Sequence, residues 1–278
     1  MLKSASTCAL LATAALLFST GCDKKVISTM GLPSIIGTVS VDSGPGDRTI
    51  SAYVGVDGTR LLPVTAINKE TLDLSDYSTS GEYGWSSSWR GSDLHLSPGD
   101  RCVLHVFQSN GEAHTDTEVV PNLPRITTPE TSFSLREDQS LDVAWVGTPG
   151  VDRYQIEFRI DYDYHRYNTF SLDTTITLPA GSTSYTLPGS VIFPAYVDSL
   201  EFGYCYITVT AEAGPDVGHE CGGNVKGNGC GYFFAVSTAG SRCWIGSPDA
   251  IACPKPLAPT SQTARQFVER KRVLIADR

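Results

Sequence analysis

The chain has 278 residues, of which 30 are acidic and 21 are basic, and its formal net charge at neutral pH is −9. An acidic surface repels the phosphate backbone, so nucleic acid is not an expected partner. The length suits one or two domains, and no apolar run after residue 22 reaches membrane-spanning length.

The first 21 residues have the layout of a secretory signal peptide. Lys3 precedes a segment of apolar and small residues from Cys8 to Phe18, which is shorter than the roughly 20 apolar residues that span a bilayer. Small residues and Gly21 then lead directly to Cys22. The alternative is a buried helix that opens a cytosolic domain, but no nearby segment is patterned to cover such a helix.

The sequence around Cys22 resembles the lipobox of bacterial lipoprotein precursors, in which small residues and a Gly or Ala precede a cysteine. The resemblance implies that the Cys22 thiol receives a diacylglycerol, that the chain is cut before Cys22, and that the new amine is acylated, for example with palmitate. Several acyl chains hold a protein durably, because each buried methylene contributes about 0.8 kcal/mol. We therefore expect a protein anchored by lipid to a membrane of the bacterial cell envelope, inner or outer, with a tether over residues 22–34.

Residues 35–121 alternate strand-like runs with turns and predict a first β-sandwich domain. The clearest strands are residues 35–41, 49–56, 61–67 and 101–107, and Gly-containing turns separate them.

A stretch rich in Ser, Tyr and Trp, residues 78–89, interrupts this pattern and allows two interpretations. In the first, it is an edge strand with exposed serines. In the second, Tyr83, Trp85 and Trp89 form an aromatic platform that binds a sugar ring, because exposed aromatic rings generally indicate a partner.

Three prolines within residues 120–131 predict a linker, which we place at residues 122–130. The second domain, residues 131–245, opens with Leu141, Val143 and Trp145 in alternation. A Pro-Gly turn follows, and the alternation resumes with Tyr154, Ile156, Phe158 and Ile160. An apolar period of two residues predicts strands with one buried face.

The second half resembles a fibronectin type III domain. That family has a Trp in its second strand, a Tyr in its third and a TSYTL-like fifth strand, which match Trp145, Tyr154 and residues 183–187. Residues 96–106 of the first half form a similar corner. We therefore expect an all-β fold of two consecutive immunoglobulin- or fibronectin III-like sandwiches, and the resemblance implies binding or spacer modules.

Six of the eight cysteines remain once Cys8 leaves with the signal and Cys22 takes the lipid, and an even number in an exported chain predicts disulfides. Cys221 and Cys230 are one candidate pair, because they flank a glycine-rich loop at residues 214–231. This loop holds seven glycines, so we expect it to project from the end of the second sandwich, where related architectures carry binding loops.

The remaining cysteines leave the pairing open. Cys243 and Cys253 flank a turn-like sequence and are a second candidate pair. Cys102 and Cys205 lie in strand-like runs and are either buried thiols, or Cys205 pairs with Cys243 across neighbouring strands.

Residues 246–278 predict a proline-rich spacer followed by an amphipathic helix. Thr263 and Gln266 are spaced as a capping box. The apolar residues that can share one face are Ala264, Phe267, Val268, Leu274 and Ile275. The helix either docks on the acidic body or frays in solvent, or it binds a membrane surface or a partner.

Asp161, Asp163 and His165 alternate along a predicted strand and are weak candidates for a metal site. Alternate residues of a strand lie about 6.7 Å apart, so one ion cannot bridge all three on a straight strand. The sequence contains no nucleophile elbow, HExxH motif, phosphate loop or CxxC pair. We therefore expect no catalytic residue, bound metal or cofactor.

Two classes of function remain. The first is a lipid-anchored cell-envelope protein that presents non-catalytic β-sandwich modules for binding or spacing, with the membrane and a protein or glycan of the envelope as partners. The alternative is a hydrolase acting on the cell wall or on glycans. We prefer the first, because two small sandwiches leave no room for a separate catalytic domain.

Overall fold

A computed structural model of the chain describes residues 32–43, 48–59, 61–79, 85–92, 94–129, 134–136, 139–164, 168–197, 200–218, 221–246, 265 and 267–271. Strands and their connecting turns dominate this part of the chain, and the all-β fold class predicted from the sequence is confirmed. Within these ranges, no helix is both long enough and apolar enough to cross a membrane.

The first half of the chain contributes ten strands to the described structure. They are β1 (Ser34–Ser43), β2 (Arg48–Thr59), β3 (Val64–Ile67), β4 (Glu70–Thr71), β5 (Asp73–Thr79), β6 (Trp85–Gly91), β7 (Arg101–Cys102), β8 (Leu104–Gln108), β9 (Gly111–Thr115) and β10 (Glu118–Val119).

The second half contributes nine strands and one helical turn among the described residues. They are β11 (Arg125–Thr128), β12 (Ser134–Leu135), β13 (Leu141–Val146), β14 (Arg153–Tyr164), β15 (Asn168–Pro179), β16 (Ser184–Leu187), α1 (Gly189–Ile192), β17 (Leu200–Ala213), β18 (Val225–Gly227) and β19 (Cys230–Gly246). Residues 267–271 form a further short helical segment, which we call the C-terminal helix.

The first sandwich packs the strands β1, β2, β6 and β5 against a second sheet in the order β18-β9-β8-β3-β4. Side chains of both sheets form its core, including Val54, Trp89, Leu104 and Val106. Strand β6 lies between β2 and β5. The prediction of an edge strand at residues 78–89 is therefore wrong for β6, and among the described strands β5 occupies this edge.

The second sandwich packs the sheet β11-β13-β16 against the strands β15-β14-β17-β19. This arrangement of three strands facing four is that of an immunoglobulin- or fibronectin III-like sandwich. Its core contains Trp145, Tyr154, Ile156 and Phe158, all buried, which confirms the predicted strand register. The Trp145 and Tyr154 rings pack with their centroids 5.4 Å apart.

The two sandwiches share strand β19. Residues Cys230–Thr238 pair in parallel with β1 of the first half, and Ala235–Gly246 pair antiparallel with β17. One face of β19 places Phe233 and Ala235 in the first core and Cys243 and Ile245 in the second. Residues 122–130, where a linker was predicted, contain strand β11, which pairs with β13 of the second sandwich, and the main sheet runs through both sandwiches.

Replacement of the core tryptophan tests the packing of the second sandwich. Trp145 is 3% exposed. We expect Trp145→Ala to lower the free energy of unfolding by about 3–5 kcal/mol, because it removes a large buried ring that the core cannot refill. The neighbouring Val146→Ala is the control, since Val146 is 47% exposed and its loss should cost less than about 1 kcal/mol. Equal urea midpoints for the two variants would contradict the burial of Trp145.

Candidate functional site

The disulfide predicted at the glycine-rich loop is present, and it joins Cys221 to Cys230. The loop does not project from the end of the second sandwich as predicted. Its strand β18 pairs with β9 of the first sandwich, with Val225 opposite Thr115 and Gly227 opposite Ala113. The loop therefore packs on the first half of the chain, and its strand β18 extends the second sheet of the first sandwich.

The glycines of this loop serve close packing. A Cβ atom on Gly229 would lie 2.6 Å from Ile35 Cδ1 and 2.8 Å from Ala113 Cβ. A Cβ atom on Gly223 would collide with the carbonyl oxygen of Gly231. The absence of side chains lets the loop backbone approach β1 and β9 closely. The glycines that suggested a projecting loop therefore permit a docked one.

Asn224 anchors the docked loop with both ends of its amide. Its Oδ1 accepts a hydrogen bond from the Phe233 backbone N–H at 2.8 Å, and its Nδ2 donates to the Phe233 carbonyl at 3.0 Å. Nδ2 also donates to Glu118 Oε1 at 2.7 Å. Burial raises the pKa of the Glu118 carboxyl above its ordinary value, and the bond from Asn224 partly opposes this rise.

The structure does not present Trp89 as part of an exposed aromatic platform. Trp89 is 7% exposed and belongs to the first core, where its Nε1 donates to Ser87 Oγ. The alternation of strand β6 turns Ser87 and Trp89 inward and Ser86 and Ser88 outward, so a solvent-facing Trp89 is ruled out by register. Tyr83 lies outside the described residues, and only the backbone of Trp85 lies within them.

The predicted metal candidates are engaged in local contacts. Asp161 accepts a hydrogen bond from Ser171 at 2.7 Å and lies 3.5 Å from Arg159 Nε. Asp163 accepts from Thr169 at 3.0 Å, and His165 lies outside the described residues. In the described part of the chain, no group of three His, Cys, Asp or Glu side chains is placed to hold a metal ion.

Three of the other predicted cysteine sites lie in the cores, and two lie outside the described residues. Cys102, Cys205 and Cys243 are buried free thiols, whereas Cys22 and Cys253 lie outside the described residues. Burial, reinforced by the nearby Glu118 carboxylate, raises the pKa of the Cys102 thiol to about 12. A thiol that stays protonated at neutral pH is a poor nucleophile, so Cys102 has the character of a core residue.

The C-terminal helix packs on the outer face of the shared sheet. Its Phe267 and Val268 are buried against an apolar patch formed by Ile36, Tyr53, Tyr232, Phe234 and Val236. Of the alternatives predicted for this segment, the structure shows the helix docked on the body of the protein. Phe267 and Val268 are therefore not presented to a membrane or a partner.

A buried ion pair secures the C-terminal helix. Lys271 Nζ lies 3.0 Å from Glu212 Oε1, and Glu212 is fully buried. Arg153 and Gln155 complete the surroundings of this carboxylate, with Arg153 Nη1 at 3.5 Å and a hydrogen bond from Gln155 Nε2 at 3.0 Å. Burial lowers the pKa of Lys271, and the attraction of Glu212 opposes that effect in part.

A polar groove lies where the C-terminal segment meets the first sandwich. Its volume is about 120 Å³, and the residues that line it are Tyr53, Asp76, Tyr77, Ser78, Ser86, Ser87, Ser88, Arg265 and Glu269. Strands β2, β5 and β6 supply the hydroxyls, and the C-terminal segment supplies Arg265 and Glu269. No local sequence pattern indicates this groove, because its two sides are separated by more than half of the chain.

The groove offers groups that suit a hydroxyl-bearing ligand. Serine hydroxyls both donate and accept hydrogen bonds, carboxylates accept them and Arg265 donates them. Two of the lining serines also bond to residues outside the groove: Ser88 Oγ lies 2.9 Å from Ser75 Oγ, and Ser86 donates to Asp57. The arrangement can hold a small polar group by hydrogen bonds.

No family model matches the chain, and no curated protein is similar to it in sequence. Among solved structures, the chain is similar to the ectodomain of mouse nectin-like molecule 4, with 12% identity over 79% of this chain and a TM-score of 0.24. It covers 66% of that ectodomain, slightly less than two thirds.

Two further structures with immunoglobulin domains show the same low level of similarity. The first two immunoglobulin domains of DIP-gamma are 11% identical, with 77% of this chain and 96% of that chain covered and a TM-score of 0.19. A titin immunoglobulin tandem is 12% identical, with 78% and 97% covered and a TM-score of 0.19.

Removal of the Asn224 amide tests the docking of the loop. We expect Asn224→Ala to cost about 1–3 kcal/mol of unfolding free energy, because it leaves the buried Phe233 N–H and C=O without their partner. Amide exchange at Phe233 should accelerate. Lys226→Ala is the control, since its ion pair with Asp116 is more than half exposed on both sides and contributes at most about 1 kcal/mol. Unchanged exchange at Phe233 in Asn224→Ala would contradict the anchoring role.

Charge reversal at Lys271 tests the docking of the C-terminal helix. Lys271→Glu places a second carboxylate against the buried Glu212, and two like charges in a site closed to water repel strongly. We expect the helix to leave the sheet, which hydrogen exchange over residues 265–271 would detect. Arg270→Ala removes only the partly exposed pair with Glu157 and should leave the helix docked. Protection of the helix in Lys271→Glu equal to that of the unmodified chain would refute the ion pair.

Proposed function

We propose that the protein is anchored by lipid at Cys22 to a membrane of the bacterial cell envelope and presents its two sandwiches as a non-catalytic binding or spacer module. The observation that carries this proposal is the shared strand β19, which gives the two sandwiches a common sheet. A module that must hold a binding surface at a fixed position from its anchor benefits from such a connection, because a shared sheet restricts hinge motion between its halves.

The use of the buried polar groups supports a non-catalytic role. Glu212, Lys271 and Asn224 hold segments of the chain together. These structural contacts account for the burial of all three residues. A catalytic acid or base, in contrast, needs access to a substrate.

The polar groove is the contact surface that we assign to the ligand. Its serine, carboxylate and guanidinium groups suit the hydroxyls of an envelope glycan, or a polar loop of an envelope protein. The shallow, open shape favours a surface chain over a small molecule enclosed in a cavity.

Metabolic labelling with a fatty acid tests the anchor. The Cys22 thiol is the expected site of lipid attachment, so Cys22→Ala should abolish the label. Cys8→Ala is the matched control, because Cys8 lies within the segment that we expect to be removed, and it should keep the label. Label that persists in Cys22→Ala would rule out lipidation at this residue.

A binding assay with the unmodified chain and a groove variant tests the module. We expect saturable binding to envelope glycans or to a protein of an envelope extract, without turnover of peptidoglycan or other glycans. Arg265→Ala should weaken that binding about tenfold, the effect of losing one charge-assisted hydrogen bond of roughly 1.4 kcal/mol. Lys226→Ala is the control, because Lys226 is not among the residues that line the groove. Turnover of a glycan would instead support the alternative hydrolase, and equal binding by Arg265→Ala would place the contact elsewhere.

A further inference from the structure

Cys205 and Cys243 face each other across the two long strands of the shared sheet. They are direct partners in the antiparallel ladder of β17 and β19. Directly opposite residues in such a ladder have Cα atoms about 4.5–5.5 Å apart, which lies within the range that a disulfide spans.

Both thiols are fully buried in the core of the second sandwich. Ile160 of β14 is the ladder partner of Cys205 on its other side, so the cysteine pair continues an apolar row across three strands. Hydrogen bonding with Cys243, together with burial, raises the pKa of the Cys205 thiol well above its ordinary value. In the folded protein the pair is therefore closed to water and poorly reactive.

We propose that Cys205 and Cys243 form a second structural disulfide, made while the chain folds in an oxidising compartment and before β17 and β19 close over the two sulfurs. This site is distinct from the Cys221–Cys230 bridge, which lies at the opposite end of β19. Together the two bridges fasten β19 covalently near both of its ends, one to the docked loop and one to β17.

The oxidant is a disulfide, either that of a thiol–disulfide oxidoreductase or oxidised glutathione. One cysteine thiolate attacks the oxidant disulfide, which forms a mixed disulfide and releases one thiol of the oxidant. The second cysteine thiolate then attacks the protein sulfur of the mixed disulfide and releases the second oxidant thiol. Each cysteine loses one proton, and the two electrons reduce the oxidant.

Cys102 provides a contrast within the same chain. It is equally buried, but its ladder partner is Glu118, so no cysteine lies opposite it. We therefore expect Cys102 to remain a thiol under conditions that oxidise the other pair.

Peptide mapping of the full chain tests the proposal without any variant. The chain is folded with oxidised glutathione until the Cys221–Cys230 bridge is complete, denatured without reductant, alkylated and digested. We expect a linked peptide pair that contains Cys205 and Cys243, lighter by two hydrogens than the sum of its parts, and an alkylated Cys102. Alkylation of both Cys205 and Cys243, or a link from Cys243 to Cys253, would overturn the proposal.

A reductant-dependence measurement separates the bridge from simple packing of two thiols. In a Cys221→Ala/Cys230→Ala background, the reductant should lower the urea midpoint of unfolding. Adding Cys243→Ala should abolish this dependence on reductant, whatever that substitution does to the midpoint itself. A background protein whose midpoint ignores the reductant, or a Cys243→Ala variant that still responds to it, would contradict a Cys205–Cys243 bridge.

Discussion

The backbone pairing of strand β19 is the interaction on which the rest of the structure depends. Nine residue pairs join it to β1, and twelve join it to β17. Its inward face supplies side chains to both cores, and its outward face supplies Tyr232, Phe234 and Val236 to the patch under the C-terminal helix. The two sandwiches therefore use one strand in common.

The contacts around β19 explain why several polar groups are buried. The loop before β19 folds back onto the first sandwich, and Asn224 satisfies the backbone of Phe233 at the start of that strand. Glu212, near the end of β17, holds Lys271 of the C-terminal helix. Buried polar groups are tolerated only when they are paired, and here each pairing ties a distant segment to the central strands. A shared-sheet body with polar groups used in this way fits a module for binding or spacing.

Local sequence patterns predicted the elements well but could not predict their long-range pairing. The alternation around Trp145 and Tyr154 identified the second core, because burial on one strand face leaves a period of two. The same reasoning failed for residues 214–231, where glycine content suggested a free loop although the glycines permit close backbone contact with Ile35 and Ala113. The parallel pairing of β19 with β1 leaves no local trace, since it joins residues about 200 positions apart. The polar groove was missed for the same reason.

Native-state hydrogen exchange across increasing urea tests most directly whether β19 couples the two sandwiches. The amides of β1, of β14 and of both ends of β19 are followed in one experiment. Coupling through the shared strand predicts that all of them converge on a single unfolding free energy as urea rises, because the main sheet opens as one cooperative unit. If the amides of β1 and of the first half of β19 exchange at urea concentrations where β14 and β17 remain protected, the two sandwiches are independent and the account is contradicted.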